Sequence, residues 1–462
     1  MGLKICVLQP DYSTSKVDYQ YYDPARDLSA LIPDATFKHV LLNKLTSYKQ
    51  LKELSTEGFD IFVNLCEGYL EWEVPSIEVI HYLDLLNLPY TGPTTTLYDP
   101  TKTLMKYLAY CQGVTTPNAH TISSLEEASA LGGTATFPLF VKPAKAGDSL
   151  GIDHQSLVHD AKALQEKVAA TLPEYPELLV EEYIEGREFT VLVAANTDGK
   201  TCRTFKPVEY IFPEGFAFKT YALKTSELHP GANIPCNDPV LEEQLRDAAE
   251  KIFKGFGGKG YARMDFRVRD NIIYFLEVNF SCSVFYADGY EGSADYILKY
   301  DGIGQGGFLQ HIIDEGIARH ERKQKAFEMK GNSIAGYGIY AKRLIKKDEI
   351  LYKGEERPTR IVTKKHVEQH WDEEGKRWFR QYAYPLGGDI YAIWDEEPAE
   401  WSPQNHSCDA NTAMRGLNME ATRDIQAGEE LTLDYANFLD KEMEPFTCNC
   451  GAVNCRGIIK GK

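Results

Sequence analysis

Two groups of residues in this chain have the types and spacing to do chemistry. The first lies in the stretch YARMDFRVRDNIIYFLEVNFSCS, from Tyr261 to Ser283. Asp265 and Glu277 stand twelve residues apart, and Asn279 follows two later. MDFRVR and IIYFLEVNF read as β-strands on either side of the turn pair Asp270-Asn271. A hairpin centred there sets Asp265 beside Glu277, and the two-residue period of a strand puts Glu277 and Asn279 on one face. Two carboxylates and an amide oxygen form a hard donor set suited to Mg²⁺, which commonly arrives with a nucleotide phosphate. The competing reading is a hairpin with a solvated acidic face.

The second group is CNCGAVNC, which places Cys448, Cys450 and Cys455 in a C-x-C-x₄-C pattern. Three thiolates so spaced need a fourth ligand to close a tetrahedral Zn²⁺ site. Cys408, in NHSCDAN, is the late cysteine available; His406 is the alternative, and free surface thiols are the competing reading. The other six of the ten cysteines are scattered singly up to Cys282, as expected of thiols in a reducing compartment.

The elements that must position these groups follow from the patterning. KICVLQ and FDIFVNLCEG read as buried parallel strands, and VPSIEVIHYLDLLNLPYTG as an amphipathic helix, giving an α/β segment over about the first hundred residues. DPTKTLMKYLAYCQG is a further helix; on its own, its early Lys102 reads as solvated. In FPLFVKPAKAGDSLGID a β-run ends in Lys142 and enters a small-residue loop whose backbone N–H groups can approach phosphate oxygens. LLVEEYIEGREFTVLVA gives strand, connector, strand, with Glu181, Glu182 and Glu188 around the connector. Such a connector can offer backbone groups to an adenine edge and a carboxylate to ribose, or it can be an ordinary solvated acidic loop.

Taken in order, PYTGPTTTLYDPTK, FVKPAKAGDSLGI, LLVEEYIEGREFTV, YARMDF and FLEVNFS resemble the ATP-grasp superfamily, and within it the D-alanine–D-alanine ligase branch, over residues 1–318. The resemblance implies that Lys102 and Lys142 bind ATP phosphates and that Ser149 helps a glycine-rich loop close over them. It implies Glu181 and the Glu182–Ile184 connector at adenine, Glu188 at ribose, and Lys224 as a further phosphate contact. Asp265, Glu277 and Asn279 would hold two Mg²⁺, and Arg263 would stabilise a tetrahedral intermediate. The implied chemistry is attack of a carboxylate on the γ-phosphorus of ATP, then displacement of phosphate by an amine, with positioning and electrostatics as the main contributions. Two departures stand out. The family's amino-terminal GG-x-S-x-E motif is absent, the strand running instead into LQPDYSTS. Where the family has Thr-Ser-Pro-Gly after the metal asparagine, this chain has Phe280-Ser281-Cys282-Ser283. ATP and metal residues are kept while amino-acid residues are not, so a different substrate pair is expected.

After a charged stretch, EGIARHERKQKAFEMKGNS, read as a helix end plus linker, the composition resets. SIAGYGIYAKR, NHSCDANT, GEELTLDYANF and CNCGAVNC, in that order over residues 329–462, resemble a SET-domain methyltransferase with its post-SET zinc segment. The resemblance implies S-adenosylmethionine at Gly336, Gly338, Asn405, His406 and Tyr435, with Tyr435 also the catalytic tyrosine. It implies one Zn²⁺ on Cys408, Cys448, Cys450 and Cys455. Leu433 stands where zinc-bearing relatives carry Phe or Tyr, and the pre-SET cysteine cluster of histone-directed relatives is absent.

The expected architecture is multidomain, α/β plus β-rich: an amino-terminal α/β domain over 1–97, an ATP-grasp domain over 98–318, a linker over 319–328, a SET domain over 329–442 and a post-SET zinc segment over 443–462. The net charge of −18 argues against a nucleic-acid partner. MGLKICVLQPDY lacks the pattern of a signal peptide and no apolar run reaches a membrane span, so a cytoplasmic location is expected. The expected cofactors are ATP, Mg²⁺, S-adenosylmethionine and Zn²⁺. The expected partners are small-molecule or peptide carboxylates and amines, with a homodimer as one form of assembly. The favoured reading is a ligase fused to a methyltransferase. The alternatives are a protein-lysine methyltransferase whose ATP-grasp part only binds ATP or substrate, and a non-catalytic scaffold.

Overall fold

The computed structural model describes residues 2–13, 23–67, 73–145, 150–218, 231–332, 336–394, 404–437 and 445–460. The chain forms two compact units, Met1–Arg322 and Lys323–Lys462. No helix among the described residues is long and apolar enough to cross a membrane.

The first unit opens with a parallel sheet in which Lys4–Pro10 lies between Thr36–Leu42 and Ile61–Asn64. A continuous apolar run suits a strand buried on both faces, and Ile5, Cys6, Val7 and Leu8 are fully buried. Alternation sends Cys6 and Leu8 toward the helices Ser47–Leu54 and Ile77–Leu85. It sends Ile5 and Val7 toward Ser293–Asp301 and Gly304–Lys323, so the last helices of the unit seal its first strand.

Two antiparallel sheets follow among the described residues. One has the order Ala119–Ile122, Leu178–Glu182, Leu139–Pro143, Leu157–Val158, and packs on the helices Leu125–Gly132 and Ala161–Thr171. The other has the order Asn233–Pro235, Val208–Tyr210, Arg187–Ala195, Tyr261–Arg269, Ile272–Asn279, with Cys202–Thr204 beside Arg187–Ala195. Its apolar face is covered by the helices Lys102–Cys111 and Pro239–Gly255. The connector between the two sheets passes so close to the hairpin strand that a Cβ on Gly186 would lie 2.1 Å from the Val268 carbonyl oxygen. Only glycine fits there.

The stretch 319–328, expected as a linker, holds the end of a helix and the start of a strand, and the division between the two units falls within it. Gly304–Lys323 is one helix, and Arg319 near its end is buried, donating to the carbonyls of Tyr90 (2.6 Å) and Gly92 (2.8 Å). The next strand, Phe327–Asn332, begins four residues later. The apolar face of this helix, Phe308, Leu309, Ile312 and Ile313, lies upstream of the charged stretch, and a charged side chain makes the last buried contact.

The second unit is β-rich. Its main sheet has the order Phe327–Asn332, Gly336–Ala341, Glu430–Leu433, Thr412–Arg415, Asn418–Ala421, Ile350–Lys353, with Asn405–His406 alongside Glu430–Leu433. A smaller sheet, Thr359–Thr363, Ile390–Trp394 and Tyr384–Gly387, carries the helices Lys364–His370 and Glu373–Tyr382. Phe446–Thr447 pairs with Ile458–Ile459 to close the tail.

Candidate active sites

In the first unit the hairpin has the register its spacing predicts. Asp265 pairs with Glu277 and Arg263 with Asn279, and Asp270 and Asn271 turn at positive φ (52° and 62°). One feature was not legible: Leu276 is an extra residue, a bulge between the pairs Asp265–Glu277 and Phe266–Phe275. Arg263 Nη2 lies 3.4 Å from Asp265 Oδ2, and Lys102 Nζ 3.6 Å from Glu277 Oε2. Lys102 is buried, contrary to the solvated reading of that lysine alone. It opens the helix Lys102–Cys111, whose start is fixed by Thr101 Oγ1 accepting from the Leu104 N–H at 3.2 Å. Burial pushes its pKa down, opposed by Glu277.

Behind it lies a buried triad. Glu181 forms ion pairs with Lys142, whose Nζ lies 2.5 Å from Oε1, and with Lys106, whose Nζ lies 2.7 Å from Oε2. Burial pushes the Glu181 carboxyl up, but the two lysines overcome this and hold it at about 2. The carboxylate that the resemblance puts at adenine is thus engaged by two cations. Glu188 is similarly engaged by Arg267, with Nη2 at 3.0 Å and Nε at 3.2 Å. Arg267 also donates to the Ile184 carbonyl at 2.9 Å, tying the connector to the hairpin strand, and Arg269 pairs with Glu182 at 2.7 Å.

These charges rim a slot of about 100 Å³ with Phe140, Ile152, Ile184, Phe218 and Leu276 as its apolar lining. Beside it is a more polar cavity of about 80 Å³, lined by Glu67, Lys102, Arg263, Asn279 and Ser281–Ser283 among others. Glu277 lines both. The carboxylates of Asp265 and Glu277 with the Asn279 amide, facing lysines across the cleft, are an oxygen donor set that fits Mg²⁺. Lys106 and Arg267 were missed in the sequence. Lys106 follows Lys102 by one helical turn, and Arg267 shares the two-residue period of Arg263 and Asp265. Ser149 and Lys224 lie outside the described residues.

In the second unit the short strand Asn405–His406 draws the other candidates together. Asn405 Nδ2 donates to the Tyr337 carbonyl (2.7 Å), between Gly336 and Gly338, and to Glu430 Oε1 (2.6 Å). Gly336 has φ +84°, a conformation that favours glycine. The Tyr435 N–H donates to His406 Nδ1 at 3.0 Å, which leaves the ring proton on Nε2. Burial lowers the His406 pKa, keeping the ring neutral near pH 7. Burial raises that of Tyr435, whose hydroxyl donates to the Gln404 carbonyl. The phenol is held protonated.

The sulfurs of Cys408, Cys448, Cys450 and Cys455 lie within 4.8 Å of one another, with 3.9 Å between Cys408 and Cys448. Tetrahedral zinc at about 2.3 Å from each sulfur implies edges of about 3.8 Å, so the four thiols fit that ion. Backbone N–H groups point at them: Cys408 to Cys450, Cys450 to Cys448, and Arg456 to Cys408, at 3.3–3.4 Å. Such donors favour the thiolate.

Residues 110–283 match the model of the D-ala D-ala ligase C-terminus, and residues 336–436 that of the SET domain. The D-alanine–D-alanine ligase of Bordetella petrii is 30% identical over 243 residues, covering 51% of this chain and 71% of that enzyme. That of Syntrophotalea carbinolica is 33% identical over 202 residues, 43% of this chain and 61% of its own length. The solved D-alanine–D-alanine ligase of Coxiella burnetii superposes with a TM-score of 0.52 at 19% identity, covering 70% of this chain and 97% of that one. VanG D-Ala:D-Ser ligase of Enterococcus faecalis gives 0.51 at 18% identity, covering 68% and 100%. At these identities the structures show the fold alone. The chain therefore has the ATP-grasp fold in its first unit, followed by a SET domain. Through its first unit it belongs to the D-alanine–D-alanine ligase family.

Proposed function

We propose that the chain is a bifunctional enzyme, an ATP-dependent carboxylate–amine ligase fused to an S-adenosylmethionine-dependent methyltransferase. The observation that carries the ligase half is the position of Glu277. It stands between a slot with the apolar lining of a base-binding site and a polar cavity that holds Arg263. Lys102 and Lys142 bind the transferring phosphates, and Asp265, Glu277 and Asn279 hold Mg²⁺, which neutralises phosphate charge when bound. A substrate carboxylate in the polar cavity attacks the γ-phosphorus, expelling ADP and forming an acyl phosphate; a neutral amine then attacks the acyl carbon, loses a proton and displaces inorganic phosphate while Arg263 faces the developing oxyanion.

In the SET half, Asn405, His406 and the Gly336–Gly338 strand bind the methyl donor. The Tyr435 oxygen orients an acceptor amine, which must be neutral to attack. Cys408, Cys448, Cys450 and Cys455 hold a structural Zn²⁺. Fusion raises the effective concentration of one unit's product at the other, in keeping with a single modification pathway for a small molecule or peptide. The test is phosphate release with ATP, Mg²⁺ and a mixture of amino acids, followed by mass spectrometry with labelled S-adenosylmethionine. Release that is lost in Glu277→Ala supports the ligase. No release from the wild type, with ATP still bound, leaves a binding module in its place.

A further inference from the structure

The smaller sheet of the second unit carries a cavity that neither proposed reaction uses. It has a volume of about 410 Å³ and is lined by Arg360, Trp371, Asp372, Gly375, Trp378 and Ile393. That size suits a small-molecule site. Asn405, His406 and Tyr435 are not among its lining residues. Arg360 pairs with Ile393 across the sheet, so both side chains leave the same face. Gly375 and Trp378 share a face of the helix Glu373–Tyr382, and Trp371 leads into that helix. The two half-buried indoles pack on a core of Val362, Val367, Phe379, Tyr391 and Ile393. Trp371 meets Phe379 edge-on, with ring centres 6.4 Å apart.

The cavity is kept open and is biased electrically. Glycine inside a helix costs about 1 kcal/mol relative to alanine. A Cβ on Gly375 would lie 3.1 Å from Asp372 Oδ1 and 3.2 Å from the Trp371 ring, crowding both. Asp372 caps the helix through Oδ1, which accepts the Gly375 N–H at 2.7 Å, and it makes no ion pair among the described residues. The Arg360 guanidinium lies 5.5 Å from the centre of the Trp371 ring, where a cation is drawn to an indole face. Arg360 is exposed on an edge strand, Thr359–Thr363, so its head can leave the ring for water.

We infer that this cavity binds an organic cation, a methylated ammonium group, seated against the two indoles beside Asp372, with Arg360 as the internal cation that it displaces from Trp371. An indole face attracts a quaternary ammonium, whose methyl groups add apolar contact that a bare, strongly hydrated ammonium forgoes. The Asp372 carboxylate supplies the complementary charge. The inference takes from the methyltransferase reading only the source of such a group, since an amine that accepts methyl groups becomes the cation this cavity fits.

Calorimetry on the full chain tests it with three probes: N-acetyl-trimethyllysine amide, N-acetyl-lysine amide, and the neutral analogue in which carbon replaces the quaternary nitrogen. No methyl donor is added, so binding is read apart from turnover. The wild type is expected to prefer the trimethylated probe over each of the others by about tenfold. Asp372→Asn keeps a good helix cap and removes the charge, and should weaken that probe by about fivefold or more. Gly375→Ala, which fills the cavity floor while improving helix propensity, should weaken it by about tenfold. Arg360→Gln removes the competing cation and should tighten it by about threefold. Denaturant midpoints and S-adenosylmethionine affinity report whether each variant is folded; if Gly375→Ala is not, the other two decide. No binding by the wild type in the millimolar range, equal binding of the neutral analogue, or unchanged affinity in Asp372→Asn overturns the assignment, as does weaker binding in Arg360→Gln. Binding intact with no methyl transfer to any amine overturns the methyltransferase reading alone, and transfer intact with no binding overturns this site alone.

Discussion

The two candidate sites are built in opposite ways. In the first unit the reactive side chains stand on long strands and a ten-residue helix backed by a large apolar core. Lys102, Lys142, Glu181 and Asp265 are all buried, and packing holds them before any ligand arrives. In the second unit Asn405 and His406 form a two-residue strand, and the core beneath the cysteines consists of Ala436, Cys448 and Ile459 with a few half-buried neighbours. A core that small supplies little stability. One site is pre-organised by hydrophobic burial, whereas the other depends on its four thiols being held together.

Metal removal should therefore separate them most strongly. Structural zinc contributes on the order of 10 kcal/mol to folding of small sites. Cys455→Ser, or a strong chelator, should empty the site and reduce S-adenosylmethionine affinity by about a hundredfold or more, since Cys408 lies two residues from His406. ATP affinity should not change. Elemental analysis should find one zinc per wild-type chain.

A second, smaller effect probes the first unit's reliance on packing. A fragment ending at residue 318 lacks Arg319, leaving the Tyr90 and Gly92 carbonyls and the buried Glu315 without its guanidinium. Breaking a buried pair of this kind costs about 3–5 kcal/mol. A fragment ending at residue 323 should bind ATP and unfold at distinctly higher denaturant than one ending at 318. Equal midpoints would show that Arg319 contributes nothing.

The smallest expected effect lies in the triad. Lys106→Met leaves Glu181 with Lys142 alone and should weaken ATP binding by about tenfold or less. Because the folded Glu181 pKa is depressed to about 2, its stabilisation is present above the unfolded value near 4.5 and is lost as pH falls toward 2. The stability gap between wild type and Lys106→Met should be full above about pH 5 and shrink through that acid window. Denaturant midpoints across pH 2–7 would measure it.

What the sequence disclosed follows the same division of local from distant. The pairing of Asp265 with Glu277 is fixed by a turn and a strand period, both local, and was readable. So were Cys408 and the C-x-C-x₄-C cluster, whose ligand chemistry restricts the choices. The bulge at Leu276 was hidden because IIYFLEVNF alternates well enough without it. The burial of Lys102 was hidden because a lysine at a helix start is ordinarily solvated, and the Glu277 strand that faces it here is distant in sequence. The helix end expected before the linker runs on to Lys323, because a charged residue, Arg319, makes its final buried contact. The bond between Glu67 and Ser283 joins residues that no pattern relates, so only the folded chain brings it to view.

The central claim is that Glu277 serves ATP chemistry and the cysteine cluster serves methyl transfer, each in its own unit. Its most direct test is a paired measurement on wild type, Glu277→Ala and Cys455→Ser: phosphate release from ATP with Mg²⁺ and amino acids, and binding of S-adenosylmethionine. The account predicts that Glu277→Ala loses phosphate release and keeps donor binding, while Cys455→Ser does the reverse. A Glu277→Ala protein that still releases phosphate, or a Cys455→Ser protein with full zinc and normal donor affinity, would contradict it.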